Sequence, residues 1–123
     1  MDKQVLQRAT ARSSTGEIEL QGKPSILRVV TPRSEALVTT SEKSLQGTVL
    51  RLENQGGFLS LSASALDARP LSESRRILIL HLTDVKNSKI KFSGKDMSLQ
   101  ETSGSLPHLA RQGSAQVTLR LAP

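Results

Sequence analysis

Ser74, His81 and Asp84 are the residue types of a hydrolytic triad, gathered in one short stretch of the sequence. In such a triad the histidine must lie within about 3 Å of both a nucleophilic oxygen and an orienting carboxylate. The run Arg75 to Thr83 reads as one strand, and on an extended strand Ser74 and His81 fall on opposite faces, about 20 Å apart or more. The spacing therefore argues against a triad. His81 shares a face with Ile77 and Ile79, where a lone histidine reads as a core or rim residue satisfied by a hydrogen bond.

The other chemistry-bearing types are sparse. His81 and His108 are the only histidines, no HxH or HExxH spacing occurs, and a catalytic zinc needs a third ligand. The Asp84 to Asn87 loop offers one carboxylate and one amide, short of the roughly six oxygens a calcium ion takes. There is no cysteine, hence no disulfide and no thiolate nucleophile, and the redox compartment stays undetermined. No metal or cofactor is expected. A glycosidase carboxylate pair faces across a cleft of about 5–10 Å. Glu17 and Glu19 instead share one strand face and alternate with Ile18 and Leu20, the pattern of a solvated surface. Asn54-Gln55-Gly56-Gly57 precedes a strand rather than a helix whose N-terminus would hold a phosphate.

The chain of 123 residues has the size of one domain and carries a formal net charge of +6. Its basic residues are dispersed, with local groups only at Arg75-Arg76 and at Lys86, Lys89, Lys91 and Lys95. In a strand, Lys89 and Lys91 share one face and Ile90 and Phe92 the other, and Phe58 and Phe92 are the only aromatics for stacking bases. Nucleic acid is not the expected partner. No run approaches the roughly 18 apolar residues of a membrane-spanning helix, so no membrane is expected either. Neutral sugars normally stack on Trp or Tyr, which are absent, whereas an anionic glycan needs only Arg and Lys. The candidate ligand-binding residues are Arg33, Arg75, Arg76, His81, Lys89 and Lys91.

Short alternating runs broken by Gly, Pro, Asn, Asp and Ser predict an all-β fold, an antiparallel β-sandwich of about seven or eight strands. The expected strands are Gly16 to Gln21, Ser25 to Thr31, Glu35 to Thr40, Leu45 to Glu53, Phe58 to Ala63, Arg75 to Thr83, Lys89 to Ser93 and Ser114 to Leu121. Gly22-Lys23-Pro24 turns the first hairpin. Ile77, Leu78, Ile79, Leu80 and Leu82 are nearly continuous, which predicts a central strand covered on both faces. Val117, Leu119 and Leu121 point inward on the last strand. Residues 1–14 read as a loose leader, 15–123 as the sandwich domain, and Gly94 to Gly113 as a long loop.

Thr15-Gly16-Glu17-Ile18, Val30-Thr31-Pro32-Arg33-Ser34-Glu35-Ala36, Ala65-Leu66-Asp67-Ala68-Arg69-Pro70-Leu71, Ser74-Arg75-Arg76-Ile77-Leu78 and Asn87-Ser88 occur in that order. Together, over Thr15 to Leu121, they resemble the C-terminal β-sandwich module of bacterial glycoside-hydrolase-like proteins. The chain departs from that pattern at Lys86-Asn87-Ser88-Lys89, where a glycine usually follows the asparagine, and in lacking a tryptophan near the long loop. The resemblance implies a non-catalytic accessory domain that packs against and stabilises the catalytic domain of a parent enzyme, with the acid and nucleophile in that other domain. It also suggests an extracytoplasmic setting. The alternative is a module that binds anionic polysaccharide through Arg and Lys.

Overall fold

Alternation along residues 59–65 puts Leu59, Leu61, Ala63 and Ala65 on one side of the chain and Ser60, Ser62 and Ser64 on the other. The first set is buried to within a few per cent, the signature of a strand with one face in a core. The structure, a computed structural model, describes residues 10–22, 25–94 and 99–123. The expected Lys23-Pro24 turn and Lys95 lie outside the described residues.

Among those residues the chain forms thirteen strands, one 3-10 turn at Leu71–Glu73 and no α-helix. The strands are β1 (Thr10–Arg12), β2 (Ile18–Gln21), β3 (Ile26–Val30), β4 (Ser34–Thr39), β5 (Ser44–Gln46), β6 (Leu50–Asn54) and β7 (Leu59–Ala65). They continue as β8 (Ile77–Leu82), β9 (Val85–Ser88), β10 (Lys91–Ser93), β11 (Leu99–Thr102), β12 (Ser105–Ala110) and β13 (Ala115–Leu119). Every strand pairing is antiparallel.

The described residues divide into one compact unit of those up to 82 and from 113 onward, and another of those between 83 and 112. The first unit is a sandwich. A six-stranded sheet in the order β1-β2-β3-β4-β7-β8 faces a three-stranded sheet in the order β13-β6-β5. Leu37, Leu59, Leu61 and Ala63 of the larger sheet share one core with Leu45, Leu50 and Leu52 of the smaller, joined by Leu71 and flanked by Ile77, Val117 and Leu119. The second unit pairs β9 with β12 and β10 with β11, and none of its described residues is buried.

Several expectations are corrected. Thr10–Arg12, read as part of a loose leader, is β1 and pairs with β2, while residues 1–9 lie outside the described residues. The single strand expected over Leu45 to Glu53 is a hairpin, β5 and β6, turning at Gly47. The long loop expected after Gly94 carries β11 and β12. Leu121 lies beyond β13 and is half exposed rather than inward. β8, expected at the centre, is the outermost strand of its sheet, with Leu78, Ile79, Leu80 and Leu82 all exposed. A continuous aliphatic run records that a strand has two apolar faces. It does not say what lies over them.

The hairpin at Gly47 has a specific cause. Glu35, on β4 and only 2% exposed, turns its carboxylate toward the turn. Oε1 accepts from the N–H of Thr48 (3.1 Å) and Val49 (3.0 Å), and Oε2 from Val49 (3.1 Å) and Leu50 (2.8 Å). Those amides have no ladder partner in the turn, so the carboxylate substitutes for one. A Cβ on residue 47 would overlap Glu35 Oε2, which is why a glycine stands there.

Glu35→Ala strands these buried amides and is expected to destabilise the fold by about 3 kcal/mol, with Glu35→Gln intermediate because its amide oxygen still accepts. Urea unfolding followed by circular dichroism measures this, and a loss for Glu35→Ala below about 1 kcal/mol would contradict it.

Candidate functional site

The registers across the six-stranded sheet assign its residues to two faces. One face holds Leu37, Leu61 and the rest of the core. In line with these two, toward β1, stand Arg28, Glu19 and Arg12 as successive cross-strand partners, and toward β8 stands His81. The other face carries two rows. Leu20, Leu27, Val38, Ser60 and Leu82 are neighbours in one, and Ile18, Val29, Ala36, Ser62 and Leu80 in the other.

This outer face contains no charged residue in either row. Ile18 is 48% exposed, Leu20 36%, Leu78 44%, Leu80 42% and Leu82 55%. Its middle strands contribute Ala36 and Val38 from β4 and Ser60 and Ser62 from β7. Isolated exposed leucines are ordinary, whereas a contiguous aliphatic patch of several hundred Å2 marks an interaction surface.

The same registers correct the reading of β2. The sequence pattern puts Glu17 and Glu19 on a solvated face. Glu19 instead lies on the core side, bonded to Arg28 Nη1 at 3.2 Å, while Arg28 Nε donates to Gln46 O at 2.9 Å. The smaller sheet leaves a groove of about 610 Å3 over this end, lined among others by Arg12, Glu17, Glu19, Arg28 and Gln46. Water reaches the inner side there, so charge is tolerated on the face that is core further along.

The candidate ligand residues are only partly brought together. Arg33 and Arg75 meet at the β7–β8 connection through Asp67. The Arg33 Nη2 group donates to Asp67 O, and Asp67 Oδ2 accepts from the Arg75 N–H at 2.9 Å. Arg69, not singled out from sequence, joins them, its N–H donating to Asp67 Oδ1 at 3.2 Å. With Ser72, Glu73, Ser74 and Arg75 it lines a groove of about 470 Å3. Arg76 is held next to this cluster, its carbonyl accepting from Ser74 Oγ at 2.7 Å and from Leu66 N–H at 2.8 Å.

His81, Lys89 and Lys91 are not part of that cluster. His81 is exposed opposite Leu61 near the far end of β8, and the Ser74 hydroxyl is engaged with Arg76. Lys89 is not in a strand at all. It has φ +60 in the turn before β10, where Ile90 N–H donates to Asn87 O at 3.3 Å, so it does not share a strand face with Lys91. A lysine in the left-handed region is a local cost that glycine would avoid.

In the smaller unit the polar residues hold one another. Asp84 pairs with Lys86 Nζ at 3.6 Å and Arg111 Nη2 at 3.9 Å. His108 Nδ1 lies 2.6 Å from Asn87 Oδ1, and Asn87 Nδ2 donates to Ser103 O at 2.9 Å. Asp84 Oδ2 thus faces two cations and Asn87 Oδ1 the His108 ring. No group of three or more potential metal ligands occurs among the described residues. No helix among them is long and apolar enough to cross a membrane.

No protein-family model, curated protein or solved structure matches the chain.

The geometry pulls the Asp67 carboxyl below the ordinary aspartate range, chiefly through the Arg75 amide, with Ser74 and Arg69 adding to it and desolvation opposing. A group whose pKa is lowered on folding steadies the folded loop at pH values above the ordinary aspartate value. That contribution fades as pH falls through the lowered one. The Asp67 carboxyl should therefore titrate below an unstructured aspartate in a carbon-detected NMR titration. Its protonation should release the Arg69 and Arg75 amides, and unchanged Arg75 amide shifts across that titration would contradict the assignment.

Proposed function

We propose that this chain is a non-catalytic accessory β-sandwich domain of a carbohydrate-active enzyme, which packs the outer face of its six-stranded sheet against a catalytic module. The carrying observation is the pair of uncharged rows from Ile18 and Leu20 on β2 to Leu80 and Leu82 on β8, apolar except for Ser60 and Ser62 and exposed at both ends. The core supplies no reason for these side chains, because the sheet already buries its opposite face. Covering the outer face removes a large aliphatic area from water at about 25 cal/mol per Å2, enough to hold two modules in fixed relation. The carbohydrate connection comes from the resemblance of the ordered segments between Thr15 and Leu121. The separation of Ser74 from His81 along one strand supports the non-catalytic part.

The alternative, a module for anionic glycans, is favoured by one specific feature. Arg33, Arg69 and Arg75 converge on Asp67, and the last two line a groove with the hydroxyls of Ser72 and Ser74. Of the three contacts, that of Arg33 is made by its guanidinium and those of Arg69 and Arg75 by backbone N–H, which gathers three arginines at one turn, and guanidinium groups suit sulfate or carboxylate. Asp67 and Glu73 offset part of the charge, so the accessory role is preferred.

The two assignments separate experimentally. Paired substitutions Leu20→Lys and Leu80→Lys change exposed positions and should leave the stability of the isolated chain within about 1 kcal/mol. In the parent protein the same pair should lower the melting temperature of the adjoining catalytic module and reduce its co-purification with this domain. The isolated chain should turn over no aryl glycoside. Turnover lost in His81→Ala would overturn the non-catalytic role, and salt-sensitive retention on heparin lost in Arg75→Ala would favour the glycan module.

A further inference from the structure

We propose that β8 is a self-pairing edge, and that two copies of this chain associate by antiparallel pairing of β8 with β8, centred on Ile79. This inference is independent of the accessory role. It concerns the open edge of the six-stranded sheet, where that role concerns its outer face.

The hydrogen-bond phase of β8 is fixed by its partner. Leu66 N–H donates to Arg76 O at 2.8 Å, so the bonded pairs of the ladder fall on Ser64 with Leu78, Ser62 with Leu80 and Ser60 with Leu82. The amides and carbonyls of Ile77, Ile79 and His81 consequently point away from β7. β8 ends the sheet order, and none of these backbone groups has a partner among the described residues.

Natural sheet edges are blunted by brevity, lysine, proline or a bulge. The strand at the other end of this sheet order, β1, is three residues long and contains Arg12. β8 has none of these defences: six residues, Ile-Leu-Ile-Leu-His-Leu, in unbroken register with β7. Such an edge accepts a further strand.

The identity of that strand follows from the pattern of β8 itself. Pairing about Ile79 uses all three outward residues without leaving the strand, Ile77 against His81 of the other copy, Ile79 against its counterpart and His81 against Ile77. On the opposite face Leu78 meets Leu80, so aliphatic side chains are matched on both faces. Charge selects the direction. Arg75 and Arg76 precede β8, and Asp84 lies two residues beyond Leu82 in the sequence. Parallel pairing would set the two arginine pairs side by side. The antiparallel register keeps them at opposite ends, each Arg76 against the other copy's Leu82. A two-fold axis through Ile79 generates this arrangement and closes it at two copies.

The test uses the absence of native cysteine. Ile79→Cys places two thiols directly opposite, at a Cα separation of about 5.5 Å that a disulfide can span. Ile77→Cys places them about four residues out of register, near 13 Å. Under mild oxidation Ile79→Cys should give a covalent dimer and Ile77→Cys should not. Sedimentation equilibrium of the unmodified chain should show a reversible monomer–dimer equilibrium. Ile79→Pro removes only an outward N–H, so it should weaken that equilibrium roughly tenfold or more while the β circular-dichroism signal persists. If that variant does not fold, the cysteine comparison decides alone. A strictly monomeric chain at millimolar concentration, or equal cross-linking at residues 77 and 79, would overturn the proposal.

Discussion

The carboxylate of Glu35 is the link on which the sandwich depends. It comes from β4, inside the larger sheet, and is held by the consecutive amides of Thr48, Val49 and Leu50 at the turn of the smaller one. Removing a carboxylate from water costs several kcal/mol, which only full hydrogen bonding offsets. Here the offset also closes a turn whose amides would otherwise be buried without partners. The two other buried polar side chains act in the same way. Thr39 Oγ1 accepts from the N–H of Ser41 and Glu42, and Asn54 bonds the backbone of Glu42, Gly56 and Gly57. Each ties a connection down rather than tying two side chains together.

Where Glu35 anchors the small sheet decides what the large sheet leaves open. Three strands cannot cover six. The core is therefore thick over β4 and β7, where Leu37, Leu59 and Leu61 are fully buried. It thins toward β1–β3, where Arg12, Glu19 and Arg28 occupy the inner side, and toward β8, where His81 does. The distribution of charge on the inner face is thus a map of water access, not of strand propensity.

The outer face has no such explanation inside the molecule. Its aliphatic and small residues are set in rows by the register of five strands, and the two rows carry no charge from β2 to β8. A face that bore only solvent would normally alternate polar residues with the core set, as β6 does with Arg51 and Glu53 opposite Leu50 and Leu52. The two sheets of one sandwich thus differ in what their outer faces present to solvent. The Asp67 turn belongs to the same scheme, because it delivers the chain from β7 into β8 and fixes where the edge begins.

The sequence by itself determined six of the strands. Alternation located β2, β3, β4, β7, β8 and β13 to within a residue or two, and Gly, Pro and Asn located their turns, because side-chain period and turn conformation are local properties. It also kept Ser74 and His81 apart, since a strand between them has fixed length. Only the tertiary structure decided which side of each strand is inside. Ile18 with Leu20 and Glu17 with Glu19 alternate equally well in either sense, and the register with Val29 and Arg28 settles it. Likewise the run Ile77 to Leu82 announced two apolar faces, but its place at the edge follows from which strands pair, a non-local fact. The basic candidates divided for the same reason: Arg33 and Arg75, distant in sequence, converge on Asp67, whereas Lys89, itself left-handed in a turn, does not share a strand with the nearby Lys91.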